Sequence, residues 1–285
     1  MKGTYGRLPN PAKEKVRPDV WALSQHCDGI SVLFRTNASK IKVVYQVTDK
    51  QSFPYMPATG VSGLDLYTTD GHGKPVWSAG SYSFGDTIKY TFKNLTSLNS
   101  ESKEREYQLF LPLYNHVKWL ELGLPKDTDL LWVAPSGEKP ILVYGTSIAQ
   151  GGCASRPEMA RTGILTRELP YPIINLGFSG NGRLEKEVLN FINEIEANLY
   201  IFDCLPNLIV KTSSEIERAT IEAVRQIRTS HQTPILLVEH AGYTDSSVDK
   251  DRFESYTQAN KASKAAFGQL LKEGAQNIFT SRAKK

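Results

Sequence analysis

The sequence predicts an α/β chain in which an all-β sandwich precedes a three-layer parallel sheet, and three observations predict it. From about residue 20 to 125 apolar and polar residues alternate in period two, with turn residues about every ten positions, the pattern of an antiparallel β-sandwich. Residues 127 to 139 are polar and carry Pro135, Ser136 and Gly137, which marks a domain boundary near residue 136. Beyond it, short apolar runs alternate with helical stretches, as a parallel sheet covered by helices requires. The expected domains are residues 1–136 and 137–285.

In the first half, Gly29 to Phe34 and Ile41 to Val47 flank a hairpin turn, Arg35-Thr-Asn-Ala-Ser-Lys40. Val61 to Tyr67 and Pro75 to Ser78 flank Asp70-Gly-His-Gly73, whose Asp-Gly step favours a tight turn. Further strands are expected at Thr87 to Phe92, Glu106 to Leu111 and Val117 to Leu122. No helical periodicity of useful length is evident here. Trp21, Tyr55, Tyr67, Trp77, Tyr82, Tyr107, Tyr114 and Trp119 read either as a sugar-stacking platform or as inter-strand packing. Packing is preferred, because aromatics are ordinary strand formers. His72 and His116 fall in predicted turns with no companion metal ligand nearby.

The second half opens with Ile141 to Tyr144, four apolar residues between Pro140 and Gly145, which suits a strand covered on both faces. Strands follow at Ile173 to Leu176, Leu199 to Phe202, Ile235 to Val238 and Asn277 to Phe279, with helices near 158–169, 184–197, 214–229 and 252–273. Leu184, Val188, Phe191, Ile192 and Ile195 form one apolar stripe, and Ile216, Thr220, Ala223, Val224 and Ile227 another. Ser214 with Glu217 fits a capping box, and Gly274 stands where the last helix needs a left-handed residue.

Composition narrows the function classes. In 285 residues, 40% hydrophobic and 10% aromatic content can fill sizeable cores. No apolar run reaches the roughly 18 residues of a membrane span, and Met1 to Arg7 lack the apolar segment of a signal peptide. Thirty-four basic against 30 acidic residues give +4 without a basic stripe, so nucleic acid is not implied. Cys27, Cys153 and Cys204 are odd in number and far apart; they read as small buried residues rather than disulfides or metal ligands. No metal or organic cofactor is expected.

Three strand ends carry polar sets. Gly145-Thr-Ser147 follows the first strand, Gly177-Phe-Ser-Gly-Asn-Gly182 the second, and Asp203-Cys-Leu-Pro-Asn207 the third. In parallel neighbours these loops converge on one crevice at the carboxyl ends of the strands. A hydroxyl, exposed backbone N–H groups and an amide side chain are what acyl transfer needs. Ser147 is the candidate nucleophile; a helix-capping hydroxyl is the plainer alternative. Arg183 reads as a substrate contact or as a solvated residue starting a helix. A phosphate-binding loop ranks low, because Gly145 to Gly152 has neither a Walker lysine nor a G-x-G-x-x-G spacing.

These residues resemble the SGNH or GDSL-type hydrolases. Gly145-Thr146-Ser147 resembles the family's first block, Asn175-Leu-Gly-Phe-Ser-Gly180 its second and Leu205-Pro206-Asn207 its third. The resemblance implies a flavodoxin-like three-layer sheet and oxyanion donors at Gly180 and Asn207. Gly60-Val-Ser-Gly-Leu-Asp-Leu-Tyr67 resembles the Gly-x-Asp-Leu-Tyr motif of a jelly-roll-like amino-terminal β domain that precedes SGNH domains in Bacteroides-like bacteria. By analogy the protein is a serine esterase or deacetylase acting on acylated carbohydrate, in a periplasmic or secreted setting. The alternative is a carbohydrate-binding protein with an inert SGNH domain.

The family also implies an Asp-x-x-His segment after the fifth strand, whose His takes the serine proton. No such segment occurs in the second half, and the sequence reads as stopping short of it at Lys285. His231 precedes the fourth strand, at the wrong end of the sheet. His240, after that strand, is the local candidate base, with Asp245 as its possible orienting group.

Overall fold

A computed structural model describes residues 5–70, 72–95 and 104–281. Residues 1–4 of the Met1 to Arg7 stretch, Gly71 of the expected turn and Lys285 lie outside the described residues. The chain divides into two compact units, both discontinuous in sequence. One comprises residues 1–7, 25–137 and 151–170, and the other residues 8–24, 138–150 and 171–285.

The first unit contains β1 (Ser31–Thr36), β2 (Lys40–Val47), β3 (Asp65–Thr69), β4 (Pro75–Ser78), β5 (Gly80–Ser83), β6 (Ile88–Lys93), β7 (Arg105–Phe110), β8 (Val117–Gly123) and β9 (Leu130–Trp132). They form two antiparallel sheets, ordered β4-β3-β7-β1-β9 and β5-β6-β2-β8. Alternation explains the core: Ile41, Val43 and Tyr45 of β2 are fully buried and join Phe34, Leu66, Ile88, Phe92, Tyr107 and Leu109. The buried Tyr45 phenol donates to Ser62 O at 2.6 Å, so its polar end is satisfied.

Two strands lack a sequence signal: β5 is short and polar, and β9 has three residues, too few for alternation to register. Pairing with β6 and β1 defines them. The segment expected as a strand from Val61 begins instead with a one-turn helix, Ala58–Val61. A short helix at Pro18–Ser24 is also unforeseen, because neither is long enough to show a helical period.

The second unit is a five-stranded parallel sheet of β10 (Ile141–Gly145), β11 (Ile173–Gly177), β12 (Leu199–Asp203), β13 (Ile235–Val238) and β14 (Ile278–Ser281), ordered β11-β10-β12-β13-β14. Its β10 is buried at every position, as a central parallel strand should be. Helices Lys186–Ile192, Ser213–Arg228 and Lys250–Lys272 pack into the same core through Val188, Ile192, Ala223, Val224, Ala259 and Ala266. Leu8, Ala12, Val16 and Val20 are buried in this core too.

The expected 158–169 helix runs from Arg161 to Glu168 after a 3-10 turn at Pro157–Met159, and it belongs to the first unit. The capping box of Ser213–Arg228 is set by Thr212 and Glu215 rather than Ser214 and Glu217. Thr212 Oγ1 accepts Glu215 N–H at 3.3 Å, and Glu215 Oε2 accepts Thr212 N–H at 2.8 Å. Gly274 has φ +87°, the left-handed conformation expected of it.

Candidate active site

Register brings the three strand ends together. Gly145 at the end of β10 pairs with Gly177 of β11 on one side and with Asp203 of β12 on the other. Phe178 N–H donates to Gly145 O at 2.9 Å. Close approach requires glycine here: a Cβ on Gly182 would lie 2.1 Å from Gly145 O, and one on Gly177 would lie 2.2 Å from Gln150 N. Gly180 differs, since it is exposed with φ +70° and nothing crowds it.

Ser147 is half-buried and opens the one-turn helix Ser147–Gln150 directly after β10. Thr146, the middle residue of the Gly-Thr-Ser block, is fully buried, and its carbonyl accepts Gln150 N–H at 3.0 Å. Two amide side chains outside the expected site set tie this helix to the glycine loop. Fully buried Gln150 accepts Ser179 N–H at 2.9 Å through Oε1. Asn175 accepts Gly177 N–H and donates to Ala149 O, both at 2.8 Å. Their signal was available: each is a polar residue within an otherwise buried stretch, and such groups need partners.

The glycine loop has further supports. Arg17 Nη1 donates to Asn181 Oδ1 at 2.8 Å, and its guanidinium also pairs with Glu185. Exposed Arg183 donates to Gly180 O at 2.9 and 3.1 Å, which fixes the turn holding Gly180.

Asn207 ends a 3-10 turn, Leu205–Asn207. Its Oδ1 accepts Gly182 N–H at 3.1 Å. Because a backbone N–H can only donate, this bond settles the amide's orientation and leaves its NH₂ side turned away from Gly182. The Ser147, Gly180 and Asn207 loops thus adjoin at the carboxyl edge of the sheet.

His240 follows β13 and is 4% exposed. Its backbone is clamped by Asn260, which accepts its N–H at 2.8 Å and donates to its C=O at 3.0 Å. The ring stacks on Tyr256 and packs against Tyr243, with centroids 5.6 and 4.8 Å away. Gly242 N–H donates to Nδ1 at 2.9 Å, and Nε2 is buried with no hydrogen-bond partner among the described residues. Burial pushes the imidazole below its usual range, opposed by the charge of buried Asp203. Asp245 pairs with Arg252 at 2.7 Å. His231 Nε2 lies 2.8 Å from Asn193 O.

Within the first unit, the Gly60 to Tyr67 stretch cradles residues 154–167. A Cβ on Gly60 would lie 2.1 Å from Ala154 O. Buried Asp65 accepts from Glu158 N–H and Arg156 at 2.9 Å and from Trp77 Nε1 at 3.1 Å. Arg156 also donates to the Tyr67 hydroxyl at 3.0 Å and covers the Trp77 ring at 4.4 Å. Glu158, paired with Arg167 at 2.6 Å, is pushed up to about 7 by burial, which outweighs the Arg167 charge. Cys27 and Cys204 are buried as expected, but Cys153 is exposed with φ +65°. A turn conformation places it, not core packing. Among the described residues no group of three or more His, Cys, Asp or Glu could hold a metal ion, and no helix is long and apolar enough to cross a membrane.

The comparisons agree with this architecture. The GDSL-like Lipase/Acylhydrolase family matches residues 138–285, and the family described as the N-terminus of Esterase_SGNH_hydro-type matches residues 1–130. A crystal structure described as a GDSL-like lipase from Bacteroides ovatus is 30% identical, with TM-score 0.91, over 100% of this chain and 82% of that one. The salicylyl-acyltransferase SsfX3 from a tetracycline biosynthetic pathway is 18% identical, with TM-score 0.74, over 98% of this chain and 77% of that one, a likeness of fold. No curated protein matches the sequence.

Proposed function

The chain belongs to the GDSL-like lipase/acylhydrolase family and is an ester hydrolase of SGNH type, and we propose that it cleaves acyl esters of carbohydrates through an acyl-enzyme on Ser147. The observation that carries this reading is the register of β10, β11 and β12, which adjoins a serine, a left-handed glycine turn and an oriented asparagine amide. In the first step the Ser147 hydroxyl oxygen bonds to the acyl carbon, the carbon–oxygen bond to the sugar breaks, and the serine proton passes to the leaving sugar oxygen. Water then releases the acid and restores the hydroxyl. The anionic oxygen of each intermediate is held by the Ser147 and Gly180 N–H groups and the Asn207 NH₂.

The sugar assignment draws support from the exposed aromatic rings of the β unit. Trp77 and Tyr82, each about half exposed, line a 240 Å³ cleft with Arg156 in that unit. The same aromatics favour the second reading, a carbohydrate-binding protein without hydrolysis. Turnover of phenyl acetate and release of acetate from an acetylated oligosaccharide decide between them. Ser147→Ala is expected to lower turnover by roughly 10⁴-fold or more. Unchanged turnover would sink the serine assignment, and glycan binding without acetate release would favour the second reading.

A further inference from the structure

Core packing accounts for Tyr67, Tyr107 and Tyr114, all at most 7% exposed, but not for Trp77 and Tyr82, which stay 49% and 55% exposed. These two stand on consecutive edge strands of the two β sheets, β4 and β5, and line one 240 Å³ cleft. Each ring is backed by a neighbour: the Arg156 guanidinium lies 4.4 Å over Trp77, and Tyr90 packs 5.3 Å from Tyr82. Buried Leu64 and Phe92 form the inner surface, and Ser78 and Ser155 line the cleft with them. Pockets for drug-sized ligands hold roughly 300–1,000 Å³, so this one suits a single sugar ring.

Arg156 supplies the selective element. Its Nη1 spends both protons, on Asp65 Oδ2 at 2.9 Å and on the Tyr67 hydroxyl at 3.0 Å. The Nε–Nη2 edge has no hydrogen-bond partner among the described residues, and the side chain, which lines the cleft, is 23% exposed. That edge is the planar two-donor fork that matches a carboxylate.

Asp65 does not exhaust the positive charge here. Burial pushes the Asp65 and Glu158 carboxyls up, Glu158 to about 7, whereas their partners Arg156 and Arg167 are guanidinium groups, which keep their charge. At neutral pH the four groups together carry excess positive charge. A neutral sugar would leave the fork edge unpaired, and a bare anion would leave the rings unused. An acidic sugar engages both, its carboxylate on the fork and its C–H face on the aromatic rings.

We propose that the cleft between β4 and β5 binds a carboxylate-bearing sugar residue, a uronate, with its ring against Trp77 and Tyr82 and its carboxylate on the Nε–Nη2 edge of Arg156. The carbohydrate class rests on the sugar reading of the function; the open rings and the free guanidinium edge do not.

Titration of the full chain with methyl β-D-glucuronide, methyl β-D-glucoside and benzoate, followed by the indole N–H resonance of Trp77, tests this. Trp77→Phe assigns that resonance. The glucuronide should move it and bind about tenfold or more tightly than either the glucoside or benzoate. Tyr82→Ala should weaken glucuronide binding about threefold or more. Arg156→Lys, which keeps the charge and loses the fork, should cut the preference over the glucoside to about threefold or less. Equal affinity for glucuronide and glucoside overturns the proposal, because the guanidinium is then unused. So does benzoate binding as tightly as the glucuronide, which marks a site for flat acids, or glucuronide binding that leaves the Trp77 resonance in place. The three wild-type titrations decide even if a variant misfolds. Absence of phenyl acetate turnover would instead remove the esterase reading and leave the titrations standing.

Discussion

At the scale of single residues the site is held by polar side chains whose partners are backbone groups. Gln150, Asn175 and Asn207 each accept one N–H from the glycine loop or the strand before it. Each bond sets the direction of an amide, which a hydroxyl or a carboxylate could not do with the same pair of roles. Asn207→Asp keeps the acceptor for Gly182 and removes the donors, so it separates placement from oxyanion support. We expect kcat for phenyl acetate to fall by about 10²–10³ in Asn207→Asp and Asn207→Ala alike, with KM little changed. A rise in KM at constant kcat would assign Asn207 to ground-state binding instead.

At the scale of elements, the Gly60 to Tyr67 motif has a physical explanation. Gly60 admits the Ala154 carbonyl, Leu66 enters the sandwich core, Asp65 satisfies three donors and Tyr67 receives Arg156. Its partner segment, residues 151–170, follows directly after the Ser147–Gln150 helix in the chain. Removing the Asp65 carboxylate leaves the buried Glu158 N–H and a partly buried Arg156 without their acceptor. Asp65→Ala should therefore lower the unfolding free energy by about 3–5 kcal/mol in denaturant titration. A loss below about 1 kcal/mol would show that the node is not what anchors this segment.

At the scale of the whole molecule, neither unit is a continuous piece of chain. The parallel-sheet unit buries Leu8, Val16 and Val20, at most 6% exposed, from a segment far from it in sequence. Burying three such side chains is worth roughly 5–9 kcal/mol as an upper figure, comparable with the whole stability of a typical domain. Residues 138–285 expressed alone should lack a cooperative thermal transition by near-ultraviolet circular dichroism. A sharp transition at the temperature of the full chain would refute the dependence.

What could be read from the sequence was whatever repeats along the chain or follows a strand directly. Period-two alternation predicted most strands of the sandwich, buried apolar runs predicted all five parallel strands, and the three strand-end blocks marked the loops that carry Ser147, Gly180 and Asn207. Short elements such as β9 and the Ala58–Val61 helix have too few residues to set a period. Tertiary structure alone decided the partners of polar groups: Asn207 with Gly182, Gln150 with Ser179, Asp65 with the 156–158 segment. It also decided which unit residues 8–24 and 151–170 join. The reason is one of range. Periodicity is written in neighbouring residues, whereas a hydrogen-bond partner 25 to 93 positions away is fixed only when the strands come into register.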